Sequence, residues 1–293
     1  MTEIGIIGTG MLGKAVGLHL LESGIKLNVY NRTKEKTKEL VEKGAKSFDS
    51  PKEIAKNSEL VLTVVKDADA VRAVSFGQNG IVAGKHNDLV VADMSTINPN
   101  DSKNIAKKFH DEGIIMLDTP VMGGPNVAIN GQLVMMASGN EEAFEKHKKV
   151  FQTIAHKTFF LGENGTAHSV KLAMNLQIGM LALAISEGIT LTRGAKVNPE
   201  TFLKILNSTY FKTGMSENKA YQMIKDKVEP TFTLRNLKKD LDTINDAAKS
   251  YGLKLPMASQ ALEVYNKAVE DGFGDIDYTG ILSYLKESTK VEN

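Results

Sequence analysis

Two hydrophobic patterns divide the chain. Up to about residue 162, short apolar runs at 3–7, 26–30, 60–65, 89–93, 114–119, 133–138 and 158–161 alternate with stretches of helical periodicity. Continuous apolar runs bounded by turn residues suit strands buried on both faces. Their alternation with helices predicts a doubly wound, mostly parallel α/β sheet of the Rossmann type. Beyond Gly165 the strand pattern stops, and helices are predicted over 166–193, 199–207, 214–227, 234–250, 256–271 and 275–287. Pro199 and Pro256 fall near helix starts, where a missing N–H costs nothing, and Gly194 and Gly252 follow helices as stop signals. Gly162-Glu-Asn-Gly165 makes a turn between the two patterns. The expected organisation is therefore a dinucleotide-binding domain over 1–163 and an all-helical substrate and oligomerisation domain over 164–293. The helix over 166–193 is apolar on most sides. It is expected to be buried all round, between domains or between subunits.

The bulk properties narrow the classes. The chain has 293 residues, with 36 basic and 35 acidic side chains mixed along it and a net charge of +1. No basic stripe interleaved with aromatics points to nucleic acid. There is no cysteine, hence no disulfide, thiolate nucleophile or Cys-based metal site. None of the six histidines stands at metal-ligand spacing to another, so no metal is expected, and His168 reads as an ordinary helix position. A strand beginning a few residues after Met1 leaves no room for a signal peptide, and the expected compartment is the cytoplasm. The longest uncharged run, 172–186, falls short of the roughly 18–20 apolar residues of a membrane span.

The first apolar run breaks into Gly8-Thr9-Gly10-Met11-Leu12-Gly13 and continues as a helix. In that context Gly-x-Gly-x-x-Gly is a dinucleotide fingerprint. Gly8 allows the tight turn, Gly10 removes a Cβ from the path of a pyrophosphate, and Gly13 lets helix and strand pack closely. The helix N-terminus offers N–H groups and a positive dipole end to phosphates. At the end of the second run, where NAD sites place a carboxylate for the ribose hydroxyls, the chain has Asn31-Arg32-Thr33. Asn31 does not repel a phosphate, and Arg32 can pair with a 2′-phosphate through two N–H donors. The expected cofactor is NADP, with NAD possible as a second choice.

Three further segments carry candidate chemistry. Asp93-Met-Ser95-Thr96-Ile-Asn98-Pro99 ends a strand, and ligands of open α/β sheets bind beyond the carboxyl ends of strands. Its hydroxyls are candidates for the site or for a helix N-cap. Asp118-Thr-Pro-Val-Met122-Gly123-Gly124 ends another strand. Its paired glycines expose backbone N–H groups to a small anion, or simply make a tight loop. Lys171 and Asn175 stand four apart near the start of the long apolar helix, on one face. A lysine there is expensive to bury without a task. Beside a positive nicotinamide its pKa should fall toward neutrality, which suits a general acid–base. Lys238-Lys239-Asp240 reads, taken alone, as a solvated charged face.

Taken in order, these motifs resemble the β-hydroxyacid dehydrogenase family, which includes 3-hydroxyisobutyrate dehydrogenase, tartronate semialdehyde reductase and the glyoxylate/succinic semialdehyde reductases. The resemblance covers essentially the whole chain. It implies a Rossmann domain joined by a long helix to a helical domain, with the active site in the cleft. It further implies that Lys171 is the catalytic lysine, that Asn175 orients the substrate, and that Gly123 and Gly124, with Ser95 and position 122 nearby, bind the substrate carboxylate. Thr96, Lys239 and the loop Val65-Lys66 match cofactor-contacting positions. The implied partners are a small hydroxy, keto or semialdehyde acid and further copies of the chain in a homodimer or homotetramer. One departure stands out: Met122 occupies the position of a family serine. Methionine cannot donate that serine's hydrogen bond, worth about 1.5–3 kcal/mol to a charged group. Two rival readings are an imine reductase, whose relatives typically lack the lysine, and a non-catalytic NADP-binding sensor.

Overall fold

The computed structural model describes residues 3–225 and 229–288, and the chain divides into two compact units, Met1–Leu172 and Ala173–Asn293. In the first unit six strands form one parallel sheet: β1 (Ile4–Ile7), β2 (Leu27–Tyr30), β3 (Lys46–Ser47), β4 (Leu60–Thr63), β5 (Val90–Asp93) and β6 (Ile115–Asp118). Their order is β3-β2-β1-β4-β5-β6, the doubly wound arrangement. The intervening helices are α1 (Met11–Glu22), α2 (Lys38–Glu42), α3 (Pro51–Lys56), α4 (Ala68–Phe76) and α5 (Pro99–Asp111). Alternate residues of each strand feed opposite faces. Ile6, Leu62 and Ala92 pack with Val16 and Leu20 of α1, whereas Ile7, Val61 and Val91 pack with Ile54, Ile105 and Phe109. Full burial of each large apolar side chain here contributes about 1.5–3 kcal/mol.

The last two predicted strands do not join this sheet. β7 (Val121–Met122), β8 (Leu133–Ala137) and β9 (Ala155–Phe160) form a separate three-stranded sheet, interleaved with α6 (Pro125–Ala128) and α7 (Glu141–Ile154). β7 runs antiparallel to β8, and β8 parallel to β9. The chain reverses after β7 through Gly123 at φ +116° instead of making a full crossover. After β2 a 3-10 turn over Lys34–Thr37 precedes the short α2, with the Thr37 hydroxyl donating to the Lys34 carbonyl at 2.7 Å.

α8 (Thr166–Gly194) begins in the first unit and continues into the second. The second unit then adds α9 (Pro199–Asn207), α10 (Ala220–Ile224), α11 (Leu234–Ser250), α12 (Pro256–Glu270) and α13 (Ile281–Ser288). Ile185, Ile189, Leu203, Met223 and Leu282 make a core there. Buried Tyr265 donates to the Gly179 carbonyl at 3.2 Å. The helix expected over 214–227 opens with a π turn at Met215–Lys219. There the Ser216 hydroxyl, donating to Asn207 at 2.6 Å, ties the first turn back to α9; Asp226 and Lys227 lie outside the described residues. The helix expected over 275–287 is two 3-10 turns followed by α13. The Asp277 carboxylate, accepting from Thr279 and Thr231, holds that stretch out of helix.

α8 corrects two expectations. Within one chain it is not buried all round: only 39% of its most apolar window is buried, and Val170, Met174 and Leu191 are exposed. Among the described residues it is also the one helix long and apolar enough, by composition alone, to cross a membrane. The uncharged run fell short because Lys171 and Glu187 bound it, while the helix extends past both.

Candidate active site

At the end of β1, Gly8 adopts φ +101°, and a Cβ there would lie 2.2 Å from the Val64 carbonyl oxygen. A Cβ on Gly13 would lie 2.0 Å from the Gly8 carbonyl oxygen. Both contacts exclude any side chain, so the strand–turn–helix geometry demands these glycines. Gly10 differs: nothing lies within 4 Å of its would-be Cβ, and it caps α1 without any side-chain acceptor for the first-turn N–H groups. An open surface and uncapped N–H groups are what a pyrophosphate requires. Met11 is exposed beside this opening, Leu12 half-buried, and the Thr9 hydroxyl buried without a hydrogen bond among the described residues. Asn31 ties the second strand to the turn, accepting from Thr9 N at 3.0 Å and donating to the Thr33 carbonyl at 2.9 Å. Arg32 is exposed next to it and makes no ion pair among the described residues.

The ends of β4, β5 and β6 are joined by polar bonds. Thr63 donates to Asp93 Oδ1 at 2.6 Å, Ser95 N to the same oxygen at 3.3 Å, and Val65 N to Ser95 Oγ at 3.1 Å. Ser95 is thus a buried brace between two loops, with Lys66 exposed and Thr96 half-buried beside it. The N-cap of α5 is Asn98, accepting from Asn100 N at 2.9 Å, so neither Ser95 nor Thr96 takes that role. Burial pushes the Asp93 carboxyl above its ordinary range, against the opposing pull of His168 and the Thr63 bond.

Asp118 at the end of β6 is the anchor of α8. Its Oδ2 accepts from Gly165 N at 2.5 Å and Ser138 Oγ at 2.9 Å; its Oδ1 accepts from Ser102 Oγ at 2.5 Å and Asn164 Nδ2 at 3.1 Å. Ser138 Oγ in turn accepts from Ala167 N at 3.2 Å. A carboxylate therefore meets the positive end of the α8 dipole and satisfies N–H groups that the helix cannot. Lys171 follows within two turns. Its Nζ stands 3.3 Å from the Met122 sulfur, so Met122 touches the candidate acid directly. Gly123 and Gly124 follow at once. A Cβ on Gly123 would fall 2.5 Å from Val127 and 2.8 Å from Leu133.

In the second unit Asn175, 2% exposed, donates to Asp240 Oδ2 at 2.6 Å, and Lys239 pairs with Asp240 Oδ1 at 2.7 Å. The donation fixes the amide orientation: Nδ2 faces the carboxylate, and Oδ1 is a buried acceptor with no hydrogen-bond partner among the described residues. This corrects the solvated reading of Lys238-Lys239-Asp240. Only Lys238, paired with Asp242 at 2.5 Å, behaves that way.

The expectation for His168 is overturned as well. It is fully buried, with Nε2 at 3.7 Å from Asp93 Oδ2 and 3.7 Å from Asp118 Oδ1. A sequence signal existed. Two successive buried strands both end in Asp, and buried carboxylates require partners. Among the described residues no His, Asp and Glu group is arranged to hold a metal ion.

Comparison with known proteins matches this geometry in both halves. The NAD-binding domain of 6-phosphogluconate dehydrogenase matches residues 3–162, and the NAD-binding domain of NADP-dependent 3-hydroxyisobutyrate dehydrogenase matches residues 165–285. Glyoxylate/succinic semialdehyde reductase 1 of Arabidopsis thaliana is 31% identical over 98% of this chain and 99% of its own length. The chloroplastic reductase 2 of the same plant is 29% identical over 99% of this chain and 81% of its own length. The crystal structure of 3-hydroxyisobutyrate dehydrogenase from Salmonella typhimurium superposes with a TM-score of 0.89 at 26% identity, covering 97% of this chain and all of that one. With an NAD(P)-type glycine turn in the first unit and both domains matched in order, the chain belongs to the β-hydroxyacid dehydrogenase family, NAD(P)-dependent dehydrogenases and reductases acting on CH–OH groups.

Proposed function

We propose that the protein is an NADP(H)-dependent reductase that interconverts small β-hydroxy acids with their semialdehydes or keto acids, with Lys171 as general acid and base. The observation that carries this reading is Lys171 itself. It stands on a helix anchored by Asp118, with its ammonium 3.3 Å from Met122 and the Gly123-Gly124 loop immediately beyond.

The cofactor fit rests on the open Gly10 position and the uncapped start of α1. Gly8 to Gly13 would hold the pyrophosphate, and exposed Arg32 with Thr33 would take the 2′-phosphate. Val65, Lys66 and Thr96 would add further cofactor contacts in the same unit. When bound, the reduced nicotinamide supplies the hydride to the carbonyl carbon. The Gly123 and Gly124 N–H groups hold the substrate carboxylate. Lys171 Nζ gives a proton to the carbonyl oxygen as it becomes a hydroxyl, and in reverse takes the alcohol proton. In the second unit Asp240 fixes the Asn175 amide; its substrate-orienting role is what the family resemblance implies.

The names of the relatives support a short semialdehyde or glyoxylate as substrate. The exposed apolar positions Val170, Met174 and Leu191 along α8 support a homodimer or homotetramer. The test is oxidation of NADPH and of NADH, in parallel, with glyoxylate, succinic semialdehyde, tartronate semialdehyde and methylmalonate semialdehyde. Turnover with NADPH preferred is expected. K171M is expected to lower kcat by about 10²–10⁴-fold while NADPH still binds. Absence of hydride transfer with every short acid overturns the reading.

A further inference from the structure

Three residues before Lys171 on the same helix, His168 is enclosed on all sides and has no part in the reaction just described. Its surroundings are unusual in charge. β5 presents Asp93 and β6 presents Asp118, both fully buried, with Nε2 of the ring equidistant at 3.7 Å from one oxygen of each. The other side-chain and backbone partners of these two carboxylates are neutral groups: Thr63 and Ser95 N at Asp93, and Ser102, Ser138, Asn164 and Gly165 N at Asp118.

The hydrogen-bond accounts of these three groups are complementary. Asp118 is fully engaged by four donors. Asp93 Oδ1 takes two donors, while Asp93 Oδ2 has no hydrogen bond among the described residues. Both ring nitrogens of His168 are likewise without one. A buried carboxylate oxygen without a hydrogen bond thus faces a ring nitrogen without one, at a separation beyond hydrogen-bond range yet short for an electrostatic contact in a dry interior. Leaving such groups apart is costly, so the ring and the Asp93 carboxylate are held toward each other. Of the other ties at the α8 start, Gly165 N and Ala167 N run to Asp118 and Ser138, and the Thr166 hydroxyl donates to the Leu161 and Glu163 carbonyls. His168 is the one tie among these that also reaches β5.

We propose that His168 is a positioning residue for Lys171: by its polar contact with Asp93 and Asp118 it fixes the first turn of α8 across the ends of both strands, and so sets where the lysine ammonium stands. The proposal rests on the reading of Lys171 as the acid. It concerns placement, to which proton transfer is sensitive: a shift of about 1 Å can cost on the order of 100-fold in rate.

Three variants separate polarity from volume. H168F fills the site without a donor. H168Q keeps an N–H donor at similar reach. H168N keeps the donor but is too short to serve both carboxylates. The readouts are kcat and KM with the best substrate, the Kd of NADPH by fluorescence, and amide hydrogen exchange over residues 166–172 of the full chain. H168F is expected to lower kcat about 10- to 100-fold with KM and NADPH Kd within about threefold, and to speed exchange in the first turns of α8 alone. H168Q is expected to restore kcat to within about threefold, with H168N between the two. Should H168F fail to fold, the ordering of H168Q and H168N against wild type still decides. A kcat in H168F, or in H168N where H168F does not fold, equal to wild type overturns the proposal. So does a fall in NADPH affinity as large as the fall in kcat, which would mark general disruption. Should the wild type turn over no substrate, the reading of Lys171 has failed, and the exchange data still test the anchor: unchanged protection in H168F, or in H168N where H168F does not fold, refutes it.

Discussion

Each unit of this molecule buries an aspartate inside a cluster of donors, and the two behave in opposite ways. Asp277 in the second unit is 1% exposed and accepts from Thr231, Thr279 and the Lys219 ammonium, the last at 3.2 Å. Lys219 also lies 4.3 Å from the Tyr278 ring centroid. Burial pushes the Asp277 carboxyl up, but the Thr279 and Thr231 bonds and the Lys219 charge outweigh it and hold the pKa below the ordinary value. Asp93 in the first unit is as buried, yet no cation stands at bonding distance, and burial wins. Burial alone therefore does not determine how a carboxylate titrates; the number of donors and the presence of a paired cation do. The helical unit uses its aspartate as a clasp between chain segments. The sheet unit keeps its carboxylates at the strand ends, where they hold the helix that carries Lys171.

The strongest test of this contrast removes each clasp. D118A strands Gly165 N, Ser102 and Ser138 without their acceptor, and D277A takes the carboxylate from Lys219, Thr231 and Thr279, leaving Lys219 only its bond to the Thr231 hydroxyl. Each is expected to cost about 3 kcal/mol or more in chemical denaturation. Below the melting range, however, D277A should keep its kcat, whereas D118A should lose most of it because the start of α8 is released. Equal loss of kcat in both would erase the distinction between a clasp and an anchor.

Titration sharpens the same point, with opposite signs. Asp277 has a lowered folded pKa, so its contribution is present above the unfolded value of 3.8 and is lost as the pH falls through the folded value. Asp93 has a raised folded pKa. The folded state then binds more protons between 3.8 and that raised value, and stability contributed by this group declines as the pH rises through the window. Melting temperature followed from neutral to acid pH should show D277N losing the steep acid limb. D93N should lose the gain in stability that acidification brings above 3.8. Parallel curves for D93N and wild type would mean that Asp93 is not strained by burial.

The sheet unit was also the more legible of the two in sequence. Runs such as Ile4-Gly-Ile-Ile7 and Val90-Val-Ala-Asp93 are apolar because both faces of a parallel strand are covered, and that leaves a local signature. The glycine turn is legible for a similar reason: Gly8 and Gly13 are forced by contacts within a few residues or with the adjacent strand. What could not be read depends on distant partners. β7 is two residues long, and its pairing with β8 is set by a reversal at Gly123. Asp240 looks like part of a charged surface until Asn175, 65 residues away, is placed against it. His168 gave no signal on its own helix; the pointer to it lay in two buried strands that each end in Asp.

The cofactor end of the sheet unit offers a smaller effect. Arg32 is exposed and without an ion pair among the described residues, while neighbouring Lys34 is already engaged with Asp49 at 2.6 Å. A charge-assisted hydrogen bond to phosphate is worth about 1.5–3 kcal/mol, so R32A should raise the KM of NADPH by at least about tenfold. The KM of NADH should be unchanged. A parallel rise for both cofactors would mean that Arg32 supports the loop instead of reading the 2′-phosphate.

The smallest expected effect is at Met122. Its thioether, a weak acceptor, lies 3.3 Å from Lys171 Nζ, and Gly123 and Gly124 follow it in the chain. M122S replaces that sulfur by a hydroxyl donor and opens room for water. For the shortest carboxylate substrate, glyoxylate, the added donor should lower KM by up to about tenfold. For succinic semialdehyde, whose longer chain would gain from the apolar methionine, KM should stay level or rise. The two substrates thus move apart in M122S if Met122 sets the size of the acid the site accepts, and a common shift for both would mean that it acts only through Lys171.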